Sequence, residues 1–228
     1  MNENDKISII STLLMGEDIR LKGLTLKNYK LNYIFKELGL ILYYGLIGVC
    51  NLSPEEIFSD EKETMRFKEF LNVFTDKEWI YHPSHKSLST NNTEDLIIMD
   101  KDNVSFILEV FRMMYCIHKT IKESEREDID DEMRELLKEF EEEEDKIHKA
   151  KGIGNITLLG IIKGVSCKHN SINLINIWDY TIYQLMCSFY ALDKIDNEER
   201  IMTAIYSGTI DGQKIKQSSI HWANDNTI

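Results

Sequence analysis

The stretch Asn176-Ile177-Trp178-Asp179-Tyr180-Thr181-Ile182-Tyr183-Gln184-Leu185-Met186-Cys187-Ser188-Phe189-Tyr190 decides how this chain is read. At about 100° per residue, Trp178, Ile182, Leu185, Met186, Phe189 and Leu192 gather on one side of a helix, and Tyr180, Tyr183, Cys187 and Tyr190 on the other. Only Thr181, Gln184 and Ser188 form a polar strip. A helix that is apolar nearly all round has to be covered, by its own chain or by another. The aliphatic side is expected in the core. The side carrying Tyr180, Tyr183 and Tyr190 suits a second core layer or a partner surface, because Tyr joins apolar area to a polar tip.

Outward from this helix the pattern stays helical. Asp196-Asn197-Glu198-Glu199 reads as the capped start of a further helix closed by Gly208, and Asn155 as the cap of an apolar helix reaching Lys163. The segment Val104 to Thr120 carries apolar residues around most of its circumference and is expected to be interior. Ser53-Pro54-Glu55-Glu56 is a capping box with proline at the first helical position, and a second helix is expected from Asp60 to Phe74. The Gly-dotted run Leu40 to Val49 reads as a buried helix in close contact with another backbone. A helix is expected after Thr25, running through Tyr29, Tyr33 and Ile34 toward Gly39. Leu96 to Met99 reads as one short strand pairing with Asp18 to Leu24, and Trp79 to Asp95 as a surface loop.

With only two prolines and eleven glycines in 228 residues, long uninterrupted elements are favoured over many short strands. The expected fold is mainly α: a multi-helix globular bundle with at most a small two-stranded β element and an acidic amphipathic helical arm. The regions are an N-terminal helical region at 1–121, the arm at 122–150 and a C-terminal helical region at 151–228, the last able to share one domain with the first.

The arm holds nearly all of the net charge of −12. Between Glu123 and Asp145 there are fourteen acids against three bases, so the remainder is close to neutral. Such a balance disfavours nonspecific nucleic-acid binding, which needs clustered Lys and Arg. Ile129, Met133, Leu136, Leu137, Phe140 and Ile147 form a single narrow stripe on this acidic helix. Repulsion between like charges at i and i+4 weakens it, so the stripe calls for a partner. A solvated charged face is the alternative reading.

The N-terminal residues show no basic start followed by an apolar run, and Leu38 to Cys50 is shorter than the roughly 20 residues of a bilayer span. No membrane is expected, and a cytoplasm is the expected location. Cys50, Cys116, Cys167 and Cys187 lie in apolar or mixed segments and are expected as reduced thiols.

Two Cys-x-His pairs, Cys116 with His118 and Cys167 with His169, supply four zinc-type ligands. Residues i and i+2 of a helix diverge by about 200°, so the first pair cannot both face one ion there. Buried thiols with incidental histidines are the favoured reading. His82 and His85 are expected to be exposed loop histidines. No nucleophile elbow is present, and Lys151-Gly152-Ile153-Gly154 lacks the ending of a phosphate loop. No catalytic, cofactor-binding or metal residue is assigned.

Asn173 to Leu185, followed by Ile195-Asp196, Ile205-Tyr206-Ser207-Gly208 and Ile220-His221-Trp222-Ala223, resembles uncharacterised proteins from the structural or tail modules of phages and prophages of Gram-positive bacteria. Leu24-Thr25-Leu26-Lys27 is similar to their starts, and together these segments span about a third of the chain. The resemblance implies virion assembly, with tail assembly chaperones as the nearest class. Those are helical, acidic cytoplasmic proteins that bind the apolar tape-measure protein before the tail tube forms around it. On this reading the partner is a tape-measure or tail-tube protein, or a second copy of the chain. The alternatives are a structural virion component, such as a head-tail connector or baseplate subunit, and a small enzyme or metal protein using the histidines.

Overall fold

A computed structural model of the protein describes residues 3–21, 23–85, 87–91, 96–117, 157–211 and the single positions 215, 221 and 223. The chain divides into two units, Met1–Ile117 with Ile161–Ile228, and His118–Gly160. The first unit is the one described below. In the second, only 157–160 are described: Thr157 Oγ1 accepts from Gly160 N–H at 3.1 Å, capping the start of a helix. The acidic arm at 122–150 lies outside the described residues.

The first helix, α1 (Glu3–Met15), ends where Gly16 takes φ 75°, with Gly16 N–H donating to Leu13 O and Glu17 N–H to Thr12 O. Glycine makes this left-handed stop without a Cβ penalty. A hairpin follows, β1 (Ile19–Leu21) against β2 (Leu24–Leu26), so the helix expected after Thr25 starts later. The reason is that β2 is held on its far flank as well. Leu26 bridges Thr75, Lys27 N–H donates to Phe74 O, and Asp76 N–H donates to Thr25 O. The helix begins at α2 (Leu31–Tyr33), continues as a π-helical turn through Ile34–Leu38, and stops at Gly39 as expected.

Helix α3 (Leu40–Cys50) leaves at 106° to that segment. It buries Tyr43, Leu46, Val49 and Cys50, but Ile41 is 91% exposed, so it is a half-buried helix and not an interior one. The close approach is to a side chain and not to the backbone expected: a Cβ on Gly45 would stand 2.9 Å from the Phe70 ring. The capping box predicted from Ser53 is present at the start of α4 (Pro54–Ser59), with Ser53 N–H donating to Glu56 Oε2 at 2.6 Å and Glu56 N–H to Ser53 Oγ at 3.2 Å. Asp60 then caps α5 (Glu61–Phe74), whose Phe67, Phe70, Leu71 and Phe74 are buried.

The segment expected as a loop after Trp79 instead supplies β3 (Trp79–His82) and β4 (Ser87–Thr90), which join β5 (Ile98–Met99), within the short strand expected at Leu96 to Met99, in a three-stranded antiparallel sheet. The described residues therefore hold more β structure than one two-stranded element. The partner of β5 is β4, not the Asp18–Leu24 segment. Trp79 pulls this sheet inward: it is 1% exposed, and its indole N–H donates to the buried Thr75 Oγ1 at 3.0 Å. Burial of a large aromatic with its polar atom satisfied outweighs the turn-forming composition around it. Asp100 starts α6 (Lys101–Met114) by accepting from Asn103 N–H at 2.8 Å. Its Val104, Ile107, Leu108, Val110, Phe111 and Met114 are buried, in line with the interior reading.

Phe74 is an aromatic centre of the core, with ring centroids of Tyr29, Phe70, Phe111 and Tyr115 at 5.6, 6.3, 6.0 and 5.6 Å. The C-terminal part contributes α7 (Leu158–Lys168), a short 3-10 turn at Ile177–Asp179, and α8 (Ile182–Tyr206). The fold is mainly α. Among the described residues no single helix is long and apolar enough to cross a membrane, and the bent α2–α3 pair buries Leu31, Ile34, Leu46 and Val49 in the core.

Candidate interaction surface

The stretch quoted first is not one helix. Trp178 sits in the 3-10 turn, Tyr180 is extended (φ −84°, ψ 150°), and the helix starts at Ile182. A local polar device sets this boundary. Thr181 Oγ1 accepts from Gln184 N–H at 3.3 Å while Gln184 Oε1 accepts from Thr181 N–H at 3.0 Å, a reciprocal capping box. Helix α8 then runs 25 residues without the restart expected at Asp196; Lys168 ion-pairs with Asp196 on its flank.

Thr181 also bridges Lys30, and Tyr180 O accepts from Leu31 N–H at 2.8 Å, so the start of α8 is fixed to the start of α2. On the aliphatic side, Ile182 and Leu185 are buried, whereas Met186, Phe189 and Leu192 are half-buried. The tyrosines do not form one open face. Tyr180 precedes the helix and is half-buried, Tyr183 is half-buried, and Tyr190 is 39% exposed beside Phe189. Burial raises the Tyr190 hydroxyl above its ordinary pKa, with Cys116 and Cys187 adding to the effect. The stripe residues Ile129, Met133, Leu136, Leu137 and Phe140 fall outside the described residues.

Just before the 3-10 turn the chain makes a surface that the periodicity reading did not single out. Asn173 Oδ1 accepts from Ile175 N–H at 2.9 Å and Asn176 N–H at 3.2 Å, while Asn176 Oδ1 accepts from Asn173 N–H at 2.8 Å. Asn176 Nδ2 donates to Ser171 O at 2.8 Å. His169 Nδ1 accepts from the Ser171 and Ile172 N–H groups at 3.2 Å, which closes the base of the loop. Held this way, Leu174 is 57% and Ile175 88% exposed. Trp178 extends the apolar area, its indole N–H donating to Leu174 O at 2.9 Å and its ring meeting Phe35 edge-on at 5.4 Å. The Asn-x-x-Asn spacing was the sequence signal for this clamp.

Among the described residues, no group of three or more His, Cys, Asp or Glu is placed to hold a metal ion. Cys116 follows α6 in a left-handed conformation (φ 50°), Cys167 is exposed, and His118 lies outside the described residues. His82 Nε2 pairs with Ser89 Oγ across the β3–β4 hairpin at 2.7 Å.

Residues 147–227 match the model of the YomV second domain, a family associated with Bacillus phages and prophages. That span contains α7, the clamped loop and α8, so the C-terminal part of the chain is phage-like. No curated protein and no solved structure matches the chain.

Proposed function

We propose that the protein is a non-enzymatic phage assembly factor that holds a partner protein through the Leu174–Ile175 surface, in the manner of a tail assembly chaperone. The observation that carries this is Ile175, 88% exposed on a loop whose shape is fixed by reciprocal Asn173 and Asn176 hydrogen bonds. An aliphatic side chain held out in water gains free energy when a partner covers it, roughly 1.5 to 3 kcal/mol for full burial. Because the loop is already ordered, little further entropy is lost on docking. The match of this region to a phage-associated family supports a phage protein.

The client in this proposal is the tape-measure or tail-tube protein, met in the host cytoplasm. The acidic run Glu123 to Asp145 adds long-range attraction to a basic or amphipathic client. Co-expression with tagged tape-measure and tube proteins tests the reading. One of them should copurify, Ile175→Asp should abolish the association, and salt or removal of 123–145 should weaken it. Retention of neither client, or stoichiometric copies of the protein in purified particles, would favour a structural virion component instead.

A further inference from the structure

The loop that presents Leu174 and Ile175 is closed at its base by a histidine acting as an acceptor. His169 follows the last residue of α7, and its own N–H donates to Val165 O at 2.9 Å. Its imidazole Nδ1 stands 3.2 Å from both the Ser171 and the Ile172 backbone nitrogens. A backbone N–H can only donate, so Nδ1 supplies a lone pair and the ring proton of the neutral imidazole sits on Nε2. Ser171 Oγ, also at 3.2 Å, is a third neighbour and can either donate or accept. The Asn176 Nδ2 bond to Ser171 O at 2.8 Å ties this base to the tip of the loop.

We propose that this contact is a proton-sensitive latch: the neutral His169 imidazole holds the loop shut, and a proton taken from solvent onto Nδ1 releases the base of the loop and with it the fixed posture of Ile175. An imidazolium carries a hydrogen on each nitrogen and has no lone pair left. Protonation therefore loses both amide bonds and points Nδ1–H at two other N–H groups, leaving the Ser171 hydroxyl as the one of these three neighbours that can turn to accept. The closed loop holds one proton fewer than the open one, so it is favoured at high pH and lost as pH falls. Histidine suits such a latch because its ordinary charge change lies between about pH 5 and 8. On the elements that meet at this loop, the ionisable groups among the described residues are Cys167 and Lys168 of α7, Asp179 of the 3-10 turn, and Asp196, Glu199 and Arg200 of α8. Lys168 is ion-paired with Asp196, residues 170–176 carry no charged or ionisable side chain, and none of these groups forms an ion pair with the imidazole. That the Leu174–Ile175 surface binds a client rests on the function proposed above, whereas the response of the loop to protons does not.

The test uses the full chain without any client, so a failed copurification and a failed latch are separate results. In nitrogen-15 NMR spectra at pH 8, the His169 ring should show a bare Nδ1 and a protonated Nε2. Between pH 8 and pH 5, amide exchange at Ser171 and Ile172, corrected for its intrinsic pH dependence, should lose about tenfold in protection, the scale of a lost hydrogen bond. His169→Asn leaves every other ionisable group in place and sets a non-titrating Oδ1 near the position of Nδ1, so its loop should keep the same protection at both pH values. A proton on Nδ1 at pH 8, protection at Ser171 and Ile172 unchanged at pH 5, an equal loss in His169→Asn, or a loss shared by the amides of α5 would each overturn the proposal.

Discussion

Gln184 Nε2 donates to the carbonyl oxygen of Leu14 at 3.0 Å, joining the first turn of the last long helix to the last turn of the first one across 170 residues. Both ends need this bond. The Gly16 and Glu17 amides satisfy Leu13 O and Thr12 O, which leaves Leu14 O as an orphan acceptor of α1. The same Gln184 side chain already caps α8 through Thr181. Gly16 makes room for it, since a Cβ there would stand 2.8 Å from Gln184 Nε2.

Gln184→Ala removes two side-chain hydrogen bonds and one half of the α8 capping box, the Thr181 Oγ1 bond from the residue 184 N–H remaining. The expected loss is about 1 to 3 kcal/mol in urea or thermal unfolding. Gly16→Ala should cost more than about 1 kcal/mol, because Ala is strained at φ 75° and meets the Gln184 amide as well. A stability for Gly16→Ala equal to the parent would remove Gln184 from its place against α1.

Phe74 and Ile175 should separate stability from binding. Phe74→Ala opens a cavity among four aromatic rings and should cost about 3 to 5 kcal/mol. Ile175→Asp, at a site 88% exposed, should unfold within about 0.5 kcal/mol of the parent while losing the client. Calorimetry beside the copurification assay distinguishes the two.

The four thiols should differ in reactivity. Cys167 is exposed and should be alkylated first by a maleimide, with Cys116 and Cys187 slower and Cys50 modified only on unfolding. Timed alkylation read by mass spectrometry gives the order, and early modification of Cys50 would contradict its burial.

Stability should fall at alkaline pH. Burial pushes the Cys50 thiol from 9.0 to about 12, against a smaller opposing effect of Arg112, and pushes the Cys116 thiol to about 12, with Cys187 adding to the rise. Burial also raises the Tyr29 hydroxyl from 10.0 to about 12. For each, the folded pKa exceeds the unfolded one, so the native state holds protons that the unfolded chain has released. The contribution is complete below about pH 9 and is lost between about pH 9 and 12. Unfolding midpoints followed from pH 8 upward by circular dichroism should fall through this window. Substitution Cys50→Ser would reduce the slope.

Glu55 works in the other direction. A hydrogen bond to a backbone amide lowers its carboxyl pKa, and Lys101 at 3.4 Å adds to the shift. Its contribution is present above the ordinary glutamate range and fades as pH falls. Glu55→Gln should leave stability near pH 7 slightly lower and flatten its acid dependence, as read from midpoints between pH 3 and 6.

The polar signals that were local could be read without the fold. Ser53 with Glu56 gives the start of α4, Gly39 stops the helix that begins at Leu31, and the burial of Phe67, Phe70, Leu71 and Phe74 follows from their spacing. These depend on contacts within four residues, which any single stretch of chain contains. The periodicity of 176–190 misled for a related reason. Apolar spacing fits a helix through Trp178 and Tyr180, but the Thr181–Gln184 box fixes the start at Ile182.

Amino-acid order by itself therefore determined that the chain is mainly helical, where several helices start and stop, and which residues can face a core. Tertiary structure alone decided that Trp79 draws a polar segment into a sheet, that β5 pairs with β4 instead of β1, and that Gln184 reaches Leu14. The physical reason is range: caps and periods are satisfied by near neighbours, whereas a strand edge, an orphan carbonyl or a buried indole finds its partner only after distant parts of the chain have packed.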